Sequence, residues 1–189
     1  MAPSSPGPGP GDPGRASRAP APPGPDAEVS SGARGSPPLT APATNTIRLH
    51  RVLKAPPERV YRAFLDPKAM VKWLPPHGFT GEVHHLDARV GGTYRMSFTN
   101  FAAGQAHSFG GTYLELKPHE KIRYNDRFDD PNLPGEMTAT ITFRPVACGT
   151  ELNVVQEGVP AVIPPEMCYL GWQESLAMLA ALVEPEIPG

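Results

Sequence analysis

Two cysteines in 189 residues, Cys148 and Cys168, are too few for a disulfide framework and match no metal-ligand spacing. A reducing compartment, the cytoplasm, is therefore the expected location. No stretch approaches the roughly 18–20 consecutive apolar residues of a membrane span. The opening "MAPSSPGPGPGDPG" has neither a basic start nor an apolar run, so no secretory signal is expected. A formal charge of −2 offers no dedicated electrostatic surface for nucleic acid. No Gly-x-Ser-x-Gly elbow or phosphate-binding glycine loop occurs, and Gly91-Gly92 reads as a hairpin turn, not as a strand–loop–helix nucleotide site. No cofactor is implied.

Aromatic residues are missing altogether before Asn45, while twelve of the 26 prolines and seven of the 19 glycines lie there. Val29 and Leu39 are the only large aliphatics in that segment. Such a composition cannot bury enough apolar surface to offset its ordering entropy, so residues 1–44 are expected to form a disordered arm. Three arginines against three acidic residues make it no polybasic tail. The remainder, residues 45–185, is long enough for one sizeable core.

From Thr46 the pattern changes. Ile47, Leu49 and Leu53 alternate as in a strand that Pro56 and Pro57 end. Helical spacing of Val60, Tyr61, Phe64 and Leu65 predicts a short helix near 57–65. A second, near 67–74, opens with Asp66 as N-cap and Pro67 at its first position. An antiparallel meander should follow. Tyr94, Met96 and Phe98 share one face, and Ala139, Ile141 and Phe143 alternate with three threonines. "EMCYLGWQESLAMLAALVE" then reads as one long helix with Cys168, Trp172, Ser175, Leu176, Leu179 and Val183 in a single stripe. Gly171 inside that helix is unfavourable by roughly 1 kcal/mol against Ala. The expected reason is close approach of a strand or of a short helix. The class is α+β: about seven strands curved around a long C-terminal helix, with two short helices after the first strand.

The segments "DPKAMVKWL", "GFTGEVHHLDARVGGTYRMSF", "GGTYLELKPHEKIRY", "TATITF" with "GTELNVV", and "GWQESLAML" resemble the START-like (SRPBCC) superfamily. The branch is the one named after the activator of Hsp-90 ATPase homologues. Trp73, Gly91-Gly92, Gly111-Thr112-Tyr113 and Gly171-Trp172 carry most of the likeness, which spans about residues 46–183. It implies a helix-grip fold with a cavity between sheet and final helix, and a small hydrophobic molecule as ligand. Relatives bind lipids, hormones or polyketides; some cyclise polyketides. The name-giving eukaryotic relative stimulates a chaperone ATPase, so a protein partner is the other implied role. This chain resembles only that protein's C-terminal portion.

The expected inner face carries Phe79, Met96, Phe98, Phe109, Tyr113, Tyr124, Phe128, Ile141, Leu152, Val154, Trp172 and Leu176. These residues can fill a core or line a pocket, which is typically apolar with a few polar groups. Four polar residues fall in the same register: His107, Asp126, Gln156 and Ser175. Buried, they must orient a ligand or satisfy one another. A cyclase-type or aromatase-type enzyme would draw on His107, Asp126 and Tyr124 as its acid–base set. Adjacent His84 and His85 should point to opposite faces of a strand, and no metal site is expected there. Asp87 and Arg89 are placed to form a structural ion pair.

Overall fold

The structure is a computed structural model and describes residues 44–188; of the expected arm, residues 1–43 lie outside these residues, and Thr44 begins the first strand. Strand β1 (Thr44–Leu53) leads into helices α1 (Pro57–Ala63) and α2 (Pro67–Trp73). Six strands follow: β2 (Phe79–Leu86), β3 (Thr93–Asn100), β4 (Ala106–Lys117), β5 (Lys121–Phe128), β6 (Met137–Val146) and β7 (Gly149–Pro160). Helix α3 (Pro165–Val183) completes the order. The seven strands form one antiparallel sheet in the order β1-β7-β6-β5-β4-β3-β2, so the first strand joins the far edge of the meander. This is the helix-grip α+β architecture, a curved open sheet holding a C-terminal helix.

Alternation decides which face is buried. Along β6, Met137, Ala139, Ile141 and Phe143 are buried while the threonines between them are only partly so. Ile141 pairs with Ile122 on one side and Val154 on the other, extending a continuous apolar row across three strands. A sheet with one such face must be covered. The two short helices cover one end of it. Asp66 caps α2 by accepting from the Lys68 and Ala69 backbone N–H groups at 2.8 and 3.3 Å. Trp73, fully buried at the end of α2, packs edge-on to Phe64 at 4.6 Å between ring centres, and Phe64 in turn meets Phe143 of the sheet. The Trp73 indole N–H donates to the Ala63 carbonyl at 2.8 Å, which ties α1 to α2.

Helix α3 supplies the rest of the cover, but only in part. Its buried residues are Ser175, Leu176, Leu179, Ala180 and Val183, all in the C-terminal half. It rests chiefly on β1, α1 and α2 and stands off strands β3 to β6. Met167 and Leu170 in its first turns are exposed.

Two features of the sheet depart from simple alternation. The pairing of β2 with β3 slips by one residue between Val83 and His85. His84 then meets Ser97 at 2.8 Å and His85 meets Thr93 at 3.1 Å, and both partners belong to the outer face of β3. The expectation that the two histidines point to opposite faces is thus corrected by a β-bulge. The second feature is Gly111, where an added Cβ would lie 1.9 Å from the Asn125 carbonyl oxygen. The Asn125 side chain accepts there from the Thr112 N–H at 2.6 Å.

Replacing Gly111 by Ala forces the β5 backbone to move. Gly111→Ala is expected to lower the stability of the domain by at least about 1–3 kcal/mol, the usual range for overpacking. Chemical denaturation would show it as a lowered midpoint, and an unchanged midpoint would contradict the close approach.

Candidate functional site: a cavity beneath the N-terminal half of the last helix

Where α3 stands off the sheet, a cavity of about 460 Å³ remains. Its floor is the inner face of β3, β4 and β5, its far wall is β6 and β7, and its roof runs from Met167 to Ser175 on α3. Phe64, Met70, Trp73 and Leu74 close the end under the short helices. Eleven of the residues expected from the sequence line it: Phe79, Phe98, His107, Phe109, Tyr113, Tyr124, Asp126, Phe128, Gln156, Trp172 and Ser175. Met96, Ile141 and Leu176 do not. They pack into the main core together with Leu152 and Val154.

Sequence reasoning missed several lining residues. Tyr94 shares the face of Met96 and Phe98, so the alternation itself could have found it. Leu133 and Ile163 stand on connections and Pro76 follows α2, where no periodicity reports which way a side chain turns. Gly171 is a correction. A Cβ at this position would meet nothing within 4 Å, so no strand or helix approaches it. The missing side chain instead opens space, since Gly171 itself lines the cavity.

The four polar residues have different fates. Gln156 is engaged within the wall: its Oε1 accepts from the Trp172 indole N–H at 2.8 Å, and its amide nitrogen lies 3.6 Å from the Met137 sulfur. Ser175 lies 2.7 Å from the Leu74 carbonyl oxygen and 2.9 Å from that of Gly171, its one proton serving either. His107 pairs across the ladder with Phe98 but is exposed, at the outer end of the cavity. Asp126 is only 9% exposed, and its Oδ1 is the single fully buried side-chain nitrogen or oxygen without a partner among the described residues.

Local register explains the position of Asp126. Tyr94 pairs with Gly111 and Asp126 pairs with Met137, while Gly110 pairs with Arg127. Gly111 therefore sits between Tyr94 and Asp126 on one row, and with no side chain there the Tyr94 ring reaches across to β5. Its hydroxyl lies 3.4 Å from the Asn125 carbonyl oxygen. Burial pushes the Asp126 carboxyl from an ordinary 3.8 up to about 7, against the opposing pull of the Tyr94 hydroxyl and the Arg127 backbone N–H. Burial likewise raises the hydroxyls of Tyr94, Tyr113 and Tyr124, with the Asp126 charge adding to the effect on Tyr94 and Tyr124. These tyrosines stay protonated and act as donors. The Cys168 thiol is also pushed up by burial, which leaves it a poor nucleophile.

His107 and Asp126 do not come together. Phe109 pairs with Phe128, which places His107 two residues beyond that pair and Asp126 two residues before it. Four residues of strand separate them by about 13 Å.

A second concavity, of about 620 Å³, lies on the outer face of the same strands. Its charges pair among themselves, Arg95 with Asp129 and Arg127 with Glu136, and its rim residues are exposed. It offers no unmatched group other than the edge of Asp126. Asp87 and Arg89 form the ion pair expected before the Gly-Gly turn, at 2.7 Å. No group of three or more potential metal ligands occurs among the described residues, and no described helix is long and apolar enough to cross a membrane.

The family model described as activator of Hsp90 ATPase homolog 1-like protein matches residues 54–184. The crystal structure of a Chromobacterium violaceum protein is 68% identical, covers 75% of this chain and 99% of its own, and superposes with a TM-score of 0.75. The AHSA1 protein of Silicibacter pomeroyi is 21% identical, with 73% and 96% covered and a TM-score of 0.64. A Rhodobacter sphaeroides protein is 20% identical, with 72% and 90% covered and the same TM-score of 0.64. The last two show likeness of fold alone. No curated protein matches the chain.

The Asp126 shift gives stability a sign. Between its ordinary value and about 7, the folded protein holds a proton that the unfolded chain has released. Stability therefore falls as pH rises through that window and levels off above it. The difference of about three units corresponds to roughly 4 kcal/mol. Asp126→Asn should flatten this part of the profile. Melting curves from pH 4 to pH 8 on both proteins check it; parallel profiles would contradict the burial of a titrating carboxyl.

Proposed function

The chain belongs to the activator of Hsp90 ATPase homolog 1-like family, and from that premise we propose that it binds a small hydrophobic molecule in the cavity between sheet and α3. The observation that supports this reading is the unfilled space itself. A hollow of about 460 Å³ lined mostly by aromatic and aliphatic side chains is of the size and character of ligand sites.

An interaction module needs no such hollow. Its core would be filled, and its functional surface would be an exposed apolar patch. An enzyme of the cyclase type would use the same cavity, but its expected acid–base partners are set apart, with His107 distant and the tyrosines held protonated. Binding alone requires none of these groups to transfer a proton.

Gly171 provides the test. Gly171→Leu adds a side chain where a Cβ meets no other atom and replaces an interior helical glycine with a good helix former. The variant should be as stable as the wild type or more so, with its cavity partly filled. A neutral apolar ligand at about 100 times its dissociation constant should add roughly 2.7 kcal/mol to the apparent stability of the wild type. Thermal-shift titration should show that gain shrinking or vanishing in Gly171→Leu. Equal shifts in both proteins would place binding elsewhere.

A further inference from the structure

We propose that the ligand carries a hydrogen-bond-donating head group, a hydroxyl or an ammonium, that docks on Asp126, and that molecules with a carboxylate head are rejected. This rests on reading the hollow as a binding cavity. It goes further by assigning the chemistry of the end of the ligand that meets β5.

Asp126 lies on the cavity face of β5, with Tyr124 and Phe128 on either side of it along the strand. Its Oδ1 is buried without a donor. An unmade hydrogen bond of this kind costs about 1–3 kcal/mol, more if the group is charged, and native structures leave few of them. In the structure no neighbouring side chain donates to Oδ1. The Gln156 amide lies against Met137, the Ser175 hydroxyl has two carbonyl acceptors, and the Tyr94 hydroxyl is within 3.4 Å of the Asn125 carbonyl. A ligand hydroxyl or ammonium would complete the set.

Charge sets the selectivity. The lining includes no Lys and no Arg, and Asp126 is its one carboxylate. A carboxylate guest would bring a second negative charge into a poorly solvated site with no cation to offset it, and one of the two acids would have to stay protonated. An ammonium does the reverse. It pairs with the Asp126 carboxylate and can lie against the tyrosine ring faces, which attract cations. The other titratable groups facing the cavity are Tyr94 on β3, Tyr113 and His107 on β4, Tyr124 on β5 and Cys168 on α3. The tyrosines are neutral donors, and His107 stands at the outer end, about 13 Å along the strand from the row of Asp126.

Four probes with one apolar body separate the claims: 2-methylnaphthalene, 2-naphthylmethanol, 2-naphthylmethylamine and 2-naphthoate, titrated calorimetrically into the full chain at pH 8. The alcohol and the amine should each bind about tenfold or more tightly than the naphthoate, a difference of one charge-assisted or well-buried hydrogen bond. Affinity for the amine should rise from pH 6 to pH 8 as Asp126 ionises. In Asp126→Asn the amine should lose its advantage over the hydrocarbon. If naphthoate binds as tightly as the alcohol while the hydrocarbon also binds, the head-group assignment is overturned and the cavity reading stands. If none of the four binds, the cavity reading falls and this inference with it. Should Asp126→Asn fail to fold, the ranking of the four probes by the wild type decides alone.

Discussion

One apolar sheet face has more area than a single helix can cover, and the rest of the structure follows from how that shortage is met. The sheet has seven strands, and α3 buries residues only from Ser175 onward. Helices α1 and α2 take up one end through Phe64 and Trp73. The N-terminal half of α3 is held through a second, smaller cluster, in which Ile47, Met137 and Val159 meet Ile163, Cys168, Tyr169 and Trp172. The hollow lies between these two anchorages. It is a consequence of where the helix is fastened, and it needs no defect in packing.

This arrangement also explains why the polar groups of the inner face differ in their bonding. Trp172 and Gln156 join α3 to β7, and Ser175 joins it to the end of the short helices through Leu74. Both bonds fasten the roof of the cavity. Asp126 ties no helix to the sheet. It sits across the glycine row from Tyr94, on the part of the sheet that α3 does not reach, and so keeps an acceptor free. A buried carboxyl with one oxygen left unpaired raises the energy of the folded state, and is the kind of feature that function accounts for more readily than stability.

Much of the fold was legible because alternation and punctuation agree along the chain. The β6 pattern, the Asp66-Pro67 helix start and the stripe on α3 each appear in the structure close to where the residues place them. The bulge at His84 was not legible, since one extra residue in a strand leaves no mark in polar residues that suit either face. Gly171 was read the wrong way round because a glycine reports only that a side chain is absent. Whether a neighbour or empty space fills the gap is decided by elements far away in sequence. The inner-face residues were assigned by register, yet the division between cavity wall and solid core, with Phe98 and Tyr124 in the first and Met96 and Ile141 in the second, depends on where α3 lifts off the sheet. The orphaned Oδ1 of Asp126 required the whole row of Tyr94, Gly111 and Asp126 to be in place.

The central claim is that the space under α3 accepts an apolar guest. The two tryptophans allow it to be watched directly by amide and indole NMR spectra of the isotopically labelled chain during addition of 2-methylnaphthalene. The Trp172 indole N–H, bonded to Gln156 in the cavity wall, and the Gln156 side-chain amide should shift progressively and saturate together. The Trp73 indole N–H, turned away to Ala63, should move much less. Saturable shifts gathered on exposed Leu170 and Phe101, with Trp172 and Gln156 unmoved, would contradict the account.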